Sequence, residues 1–394
     1  MRYRRKRFLI GLLGLLLFLF LSLLSVFMFL KHQWHAEAIA RRVDLDFSGP
    51  ERLYPTGRRS ASLTDHKFTY HLNLATFEEE LPYLQSYNCT VLEEEAEFCQ
   101  SPNGKPLLVL AVKSHPSSSV RRAALRRTWA VQRQLLGYNI KAVFLMATTG
   151  STRYMRVVSE EVKEYHDILM WDFVESMHNL SLKERCFLEW LHHNCKEAKF
   201  IFKGDDDEFV NPEVVVRYVA ETPDAAAAIH GSMQNTSVVM RTGKYRVSED
   251  LFPYLVYPLF VSGGGFIMPG DFIPALYQAS TWLPGFPLDD VYFGLLALAA
   301  NLSFRHDDRF YTLGTWGGLC SYKRALVVHG VTPEVLVQIW QGLQGEVSCP
   351  ESEVFLLYVL LILSLGVAFM FLVGRLKKHC KVFCFCWKSA SDAE

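Results

Sequence analysis

Three adjacent carboxylates follow an apolar run in the segment FIFKGDDDEFVNP. Successive side chains of an extended chain point to opposite sides, so Asp205 and Asp207 should face one way and Asp206 the other. Hard divalent cations such as Mn²⁺ and Mg²⁺ prefer carboxylate and phosphate oxygens, so one aspartate could bind a metal while its neighbours accept hydrogen bonds from a nucleotide. The triplet is therefore either a solvated acidic turn or part of a metal and nucleotide site.

Two later segments carry related signals. The run YPLFVSGGGFIMPG places Gly263, Gly264 and Gly265 between bulky apolar residues. Glycines weaken a strand, and a flexible linker would have polar flanks, so close approach of the backbone to a ligand is favoured. The segment FPLDDVYFG then places Asp289 and Asp290 before an apolar, helix-like run. A carboxylate there either caps a helix or acts as a positioned general base.

The elements around these segments predict an α/β domain. KPLLVLAVKSH, IKAVFLMATTG and KFIFKGDDD are typical of buried strands, and RRAALRRTW and SLKERCFLEWLHHNC of helices. Their alternation predicts βαβ units around a mostly parallel central sheet. Ligands of such sheets gather at the carboxyl ends of the strands, which is where the aspartate triplet stands.

Two charge-free stretches, residues 8–30 and 354–373, predict transmembrane helices. A cleaved signal peptide would have a shorter apolar core and a small-residue cleavage site, and a buried core helix is rarely so uniformly apolar. The flanking tails, 1–7 and 374–394, are rich in Lys and Arg and should both be cytosolic. The intervening chain should be luminal, with a polar stem at 31–106 and a catalytic domain at 107–349.

The cysteines divide in the same way. Three, Cys380, Cys384 and Cys386, fall in the second tail, where palmitoylation is favoured over zinc binding. The other six suit three disulfides in an oxidising compartment: Cys89, Cys99, Cys186, Cys195, Cys320 and Cys349. The predicted luminal part also holds Asn-x-Ser/Thr sequons at Asn88, Asn179, Asn235 and Asn301.

Five ordered segments resemble the β-1,3-glycosyltransferase family, which includes β-1,3-galactosyltransferases and β-1,3-N-acetylglucosaminyltransferases. They are RAALRRTW, FIFKGDDDEFVNP, YPLFVSGGGFIM, FPLDDVYFG and CSYKRALVVHGVTPEVLVQIW. The resemblance covers roughly residues 107–349 and is closest to the N-acetylglucosaminyltransferase branch. It implies a glycosyltransferase-A type single domain that binds a nucleotide sugar.

The resemblance also implies roles for individual residues. Asp207 would bind Mn²⁺ or Mg²⁺ directly with His329 as the second protein ligand, and Asp290 would be the catalytic base. The remaining positions would bind the donor: Arg122, Arg126, Asp205, Asp206, Gly263, Gly264 and Gly265.

The implied activity is inverting transfer of N-acetylglucosamine from UDP-GlcNAc to the 3-hydroxyl of a galactose-terminated glycan on a glycoprotein or glycolipid, at the Golgi membrane. The nearest alternative is a galactosyltransferase that uses UDP-Gal. An inactive, membrane-bound carbohydrate-binding protein is disfavoured because Asp207, Asp290 and His329 are all present. A multi-pass transporter is also disfavoured, because two uncharged spans cannot form a transport pore. The resemblance implies no nucleic-acid partner and leaves a homodimer open.

Overall fold

The computed structural model describes residues 60–65, 67–314, 318–349, 360–367 and 369. The chain divides into two compact units, residues 1–341 and 342–394. Within the described ranges, no helix is both long enough and apolar enough to span a bilayer. The predicted span at 8–30 lies wholly outside these ranges and the span at 354–373 lies partly outside them.

The described chain alternates strands and helices. The strands are β1 (Ser60–Thr64), β2 (Thr69–Asn73), β3 (Val91–Glu93), β4 (Leu107–Lys113), β5 (Arg133–Leu135), β6 (Tyr138–Thr148), β7 (Ile168–Val174), β8 (Ala198–Asp205), β9 (Glu208–Val210), β10 (Ala228–Gln234), β11 (Phe260–Pro269), β12 (Ser303–His306), β13 (Phe310–Tyr311) and β14 (Val327–His329). The helices are α1 (Leu74–Glu80), α2 (Pro82–Ser86), α3 (Ser119–Arg126), α4 (Thr152–Tyr165), α5 (Leu180–Asn194), α6 (Pro212–Glu221), α7 (Ile273–Ser280), α8 (Asp289–Ala299), α9 (Gly318–Arg324) and α10 (Pro333–Leu343).

The central sheet is mixed, which corrects the prediction of a mostly parallel one. Its order is β12-β10-β11-β8-β4-β6-β7-β3, with β5 paired to β6. The neighbours β8, β4, β6 and β7 run parallel, as the βαβ pattern predicted. The glycine-bearing strand β11 enters antiparallel to both β8 and β10, however, and β3 and β5 also pair antiparallel. Every residue of β4 is buried, as expected for a central strand covered on both faces.

Residues 60–65 and 67–106, which the sequence pattern placed in an irregular stem, contain strands, helices and buried side chains of the core. Strands β1 and β2 form an antiparallel hairpin whose alternate side chains are buried, including Leu63 and Tyr70. Disulfides join Cys89 to Cys186 and Cys99 to Cys195, which ties this range to α5 and its C-terminal end. Cys320 and Cys349 are disulfide-bonded as well. The period-two alternation in SASLT and TYHLN was the available strand signal.

Gly265 in β11 should resist substitution for two separate reasons. Its φ is +100°, and a Cβ there would lie 2.7 Å from Cγ1 of Val327. We expect Gly265→Ala to lower the free energy of unfolding by about 2–5 kcal/mol, the sum of about 1–2 kcal/mol for the positive φ and about 1–3 kcal/mol for overpacking against the neighbouring strand. Urea denaturation measures this loss.

Gly243→Ala is the matched control for Gly265→Ala. Gly243 also has a positive φ, +80°, but a Cβ there would meet nothing within 4 Å. The control should therefore lose only the backbone contribution, about 1–2 kcal/mol. Equal losses in the two variants would show that packing against Val327 is unimportant.

Candidate active site

A cavity of about 810 Å³ opens at the carboxyl edge of the parallel strands. Lys113 ends β4, Glu175 follows β7 and Asp205 ends β8, and all three line this cavity. Lys113 and Asp205 are register partners on neighbouring parallel strands. The sheet therefore gathers charged side chains at the edge that the strand pattern indicated.

Asp205, Asp207 and His329 form a cluster suited to a divalent cation. One potential ligand atom from each lies within 4.8 Å of the others. Oδ1 of Asp207 is buried and accepts no hydrogen bond from the described residues, although Nε2 of His329 lies 3.4 Å away. Two carboxylates and an imidazole match the oxygen and nitrogen ligands that Mn²⁺ accepts. The cluster therefore fits a metal ion and adds Asp205 to the two ligands expected from the sequence.

His329 reaches the triplet through a small three-stranded sheet, β13-β14-β9. Strand β9 follows the triplet directly and pairs antiparallel with β14, so Glu208 stands opposite His329. The backbone N–H of Val331 also donates to the carbonyl of Asp207 at 2.7 Å. These pairings fix the imidazole beside Asp207 although the two residues are far apart in the sequence.

Asp206 lies in the turn between β8 and β9 and does not belong to the metal cluster. Its carboxylate accepts hydrogen bonds from Oγ of Ser114 at 2.7 Å and from Nη1 of Arg121 at 2.8 Å. Nη1 of Arg121 also lies 3.3 Å from Asp207. Asp206 is only 9% exposed and lines the cavity wall. It therefore holds Arg121 next to the metal cluster.

Lys113 links the aspartate triplet to the second acidic segment. Its ammonium lies 3.1 Å from Asp205 and 2.8 Å from Asp289, the first residue of α8. Burial alone would raise the pKa of Asp289, but Lys113 and the nearby Lys203 lower it to about 2. Burial would likewise lower the pKa of Lys113, yet Asp205 and Asp289 raise it well above its ordinary value. Lys113 and Asp289 are therefore both charged at neutral pH.

Asp290 has the opposite electrostatic environment. Burial raises the pKa of Asp290 to about 6, and the charge of neighbouring Asp289 adds to the increase. Its Oδ1 accepts a hydrogen bond from the backbone N–H of Val291 at 2.8 Å. A carboxylate that faces a cavity with a pKa near 6 is ionised at neutral pH and basic enough to accept a proton.

The three glycines of β11 have different surroundings. Gly263 and Gly264 line the cavity, whereas Gly265 does not. A Cβ on Gly263 would lie 3.6 Å from the Cβ of Asp290, and one on Gly264 would lie 3.3 Å from His329. Two glycines thus let the backbone pass between the general-base candidate and the metal cluster, and the third permits packing against β14.

Arg122 and Arg126 do not lie in the cavity, contrary to their predicted role in donor binding. Arg122 is fully buried, and its Nε and Nη2 donate to Glu161 at 2.8 and 2.7 Å. Arg126 donates to Glu161 and forms two hydrogen bonds with Asp167. Burial would raise the pKa of Glu161, but the two guanidinium groups lower it below its ordinary value. Both arginines therefore anchor α3 to α4 and to the loop that follows α4.

Arg121 occupies the cavity position expected for Arg122. Adjacent residues on a helix project about 100° apart, so only one member of the Arg-Arg pair can face the cavity. Lys113 was not among the predicted site residues, although a charged residue at the end of the buried run KPLLVLAVK is a usable signal. Glu175 and Lys183 were not predicted either; they form a buried ion pair in the cavity wall with N–O distances of 2.8 and 2.9 Å.

Arg122→Met should destabilise the fold. It leaves Glu161 with one cationic partner instead of two, and losing a hydrogen bond to a charged group costs about 1.5–3 kcal/mol. Urea unfolding measures this loss. Arg121→Gln is the control. Arg121 is 42% exposed, so this variant should lose little stability. It should instead raise the KM for the sugar donor. A stable Arg122→Met variant that binds donor poorly would reverse the two assignments.

Comparison with known proteins identifies the family. The profile described as Galactosyltransferase matches residues 120–308. A human acetylgalactosaminyl-O-glycosyl-glycoprotein β-1,3-N-acetylglucosaminyltransferase is 32% identical, over 71% of this chain and 77% of that protein. β-1,3-Galactosyltransferase 5 of Pan paniscus is 30% identical over 70% and 92%, and mouse N-acetyllactosaminide β-1,3-N-acetylglucosaminyltransferase 2 is 31% identical over 68% and 70%. The chain therefore belongs to the galactosyltransferase family and is a UDP-sugar-dependent β-1,3-glycosyltransferase.

Proposed function

We propose that the protein transfers N-acetylglucosamine from UDP-GlcNAc to the 3-hydroxyl of a terminal galactose on a glycoprotein or glycolipid glycan, with inversion at the anomeric carbon. The supporting observation is that one cavity holds both Asp290, with a pKa of about 6, and the Asp205–Asp207–His329 cluster. A relative named as a galactosyltransferase makes UDP-Gal the second candidate donor.

Asp290 acts as the general base in this mechanism. Its carboxylate takes the proton of the acceptor 3-hydroxyl while that oxygen attacks the anomeric carbon from the face opposite UDP. The new carbon–oxygen bond forms as the bond to the diphosphate breaks, so the electron pair leaves with UDP. One direct displacement inverts the anomeric centre and needs no covalent sugar–enzyme intermediate.

Positive groups in the same cavity would stabilise the leaving group. Asp205, Asp207 and His329 would hold Mn²⁺ or Mg²⁺, which supplies Lewis-acid stabilisation of the diphosphate charge. Arg121 lies beside the same cluster and is partly exposed, so its guanidinium can pair with a phosphate oxygen. Lys113 offsets the charges of Asp205 and Asp289, which would otherwise repel an anionic donor.

The proposed setting is a glycosyltransferase-A type domain in the Golgi lumen, held to the membrane by the apolar stretches at 8–30 and 354–373. The mixed sheet with an acidic triplet at its carboxyl edge supports this domain type. The disulfides and the sequons support an oxidising luminal compartment.

A donor comparison tests the proposal. Purified full-length protein with Mn²⁺ is given UDP-GlcNAc or UDP-Gal and a β-galactoside acceptor, and the product linkage is determined. We expect β-1,3-linked N-acetylglucosamine and no transfer after chelation of the metal. Faster transfer of galactose would favour the second donor, and absence of transfer from both donors would refute the assignment.

A further inference from the structure

One wall of the cavity is built by residues 235–259, which connect β10 to β11. Val238 and Val256 form an antiparallel bridge, and the N–H of Tyr257 donates to the carbonyl of Ser237 at 3.0 Å. The guanidinium of Arg241 donates to four backbone carbonyls at 2.9–3.1 Å, those of Val247, Ser248, Phe252 and Tyr254. This connection is therefore a folded structure with internal hydrogen bonds.

The connection carries apolar side chains on two faces. Val239, Val247 and Phe252 are buried in the core. On the other face, Val238, Met240 and Tyr245 are 61%, 51% and 53% exposed, and all three line the cavity. We name these three residues the apolar rim. Exposed apolar groups held by an ordered scaffold at the mouth of a cavity mark a binding surface.

The apolar rim is connected to the neighbourhood of Asp290 through Tyr257. Tyr257, which pairs with Ser237 beside the rim, lines the cavity near Asp290. The ring of Tyr257 packs against that of Phe286, four residues before Asp290, with 5.9 Å between the ring centres. Along β11, Gly263 then passes Asp290 before Gly264 reaches His329. The rim is therefore linked through Tyr257 to the part of the cavity that holds the proposed base.

We propose that the apolar rim binds an apolar aglycone attached to the acceptor sugar, such as the alkyl or acyl chain of a glycolipid. This inference rests on the proposed function, in which the acceptor hydroxyl meets Asp290. An acceptor bound there must extend its reducing end out of the cavity. The rim lines the same cavity as the catalytic residues and is available to contact the group attached at that end.

The chemistry of the rim favours a hydrocarbon chain over a second sugar. Val238 and Met240 carry no strong hydrogen-bonding side-chain groups, whereas sugar binding depends on placed polar partners. The ammonium of Lys244 lies 5.0 Å from the ring centre of Tyr245, so one face of that ring is already covered. The sequence also predicts membrane spans at both ends of the catalytic unit, which would keep the enzyme near lipid-borne acceptors.

The test compares methyl β-galactoside with octyl β-galactoside as acceptors, below the micelle-forming concentration of the octyl compound. Full-length protein in lipid nanodiscs avoids free detergent. We expect the octyl compound to have a kcat/KM about tenfold higher than the methyl compound, equivalent to roughly 1.4 kcal/mol. The double variant Met240→Ser/Tyr245→Ser should reduce this ratio to about 1.

Leu255→Ser is the matched control. Leu255 belongs to the same connection and is 79% exposed, but it does not line the cavity. The control should keep the tenfold ratio, because Leu255 does not line the cavity. Partitioning of each glycoside into the lipid is the same for every variant, so it cannot cause a difference between variants. A wild-type ratio near 1, a rim variant that keeps the tenfold ratio, or an equal loss in Leu255→Ser would each overturn the inference.

Binding measurements separate this inference from the proposed function. If neither galactoside accepts sugar from UDP-GlcNAc or UDP-Gal, the galactose-acceptor assignment fails. Titration of both glycosides into the protein with UDP and Mn²⁺ then tests the rim alone. About tenfold tighter binding of the octyl compound, lost in the double variant, supports the rim, and equal affinities refute it.

Discussion

Asp290→Asn is expected to lose about 10²–10⁴ of the transfer rate while still binding UDP and Mn²⁺. The amide keeps the shape of the side chain and its oxygen can still accept the hydrogen bond from Val291. It cannot take the proton from the attacking hydroxyl. Single-turnover rates at saturating donor, together with a UDP titration, measure the two effects separately.

The control for Asp290→Asn is Asp271→Asn. Asp290 lies in the first turn of α8 and Asp271 just before the start of α7, but the side chain of Asp271 is 72% exposed and lies outside the cavity lining. This control should transfer sugar at the wild-type rate. Near-normal turnover by Asp290→Asn would remove Asp290 from the role of base.

The pH profile should carry the signature of the same carboxyl group. Because the base must be unprotonated, the wild-type rate should rise with pH through about 6 and then level off, in line with the raised pKa of Asp290. Asp290→Asn should lose that acidic limb.

Asp207→Asn is expected to have the second largest effect, a loss of roughly 10²–10³ in transfer rate, because metal stabilisation of the leaving group is worth several kcal/mol. Oδ1 of Asp207 is buried without a hydrogen-bond partner among the described residues, so its natural partner is a cation. Thermal-shift titration with Mn²⁺ and UDP should show that the variant gains little stability from the ion.

Asp206→Asn provides the comparison within the triplet. The carboxylate of Asp206 accepts hydrogen bonds from Ser114 and Arg121 and does not belong to the metal cluster. It should keep most of the affinity for Mn²⁺. Equal losses of affinity in the two variants would contradict the assignment of the ion to the Asp207 side of the triplet.

Local patterns in the sequence were enough to predict the central strands. A short apolar run that ends in polar residues marks a strand and its edge, as it did for Ala198–Asp205. Asp206 does lie outside the cluster that Asp205 and Asp207 form with His329. Strand alternation is not the reason, however, because β8 ends at Asp205 and the next two aspartates lie in the turn before β9.

The features that sequence analysis missed depend on contacts between distant segments. Lys113 reaches Asp289 across 176 positions, and nothing near either residue indicates this pairing. Arg121 and Arg122 are neighbours on one helix, and the sequence does not indicate which of them faces the cavity. The antiparallel entry of β11 between β8 and β10 depends on the whole chain path, so the mixed sheet was not evident from the βαβ pattern.

The central claim is that Asp207 and Asp290 act on one bound donor from opposite sides. Crystallographic data collected at the manganese absorption edge, from protein bound to Mn²⁺ and a non-transferable UDP-GlcNAc analogue, test it directly. We predict an anomalous peak bound by Asp207 and His329 next to the diphosphate, with the carboxylate of Asp290 facing the anomeric carbon from the side opposite UDP. A metal peak at other residues, or a donor sugar turned away from Asp290, would contradict the account.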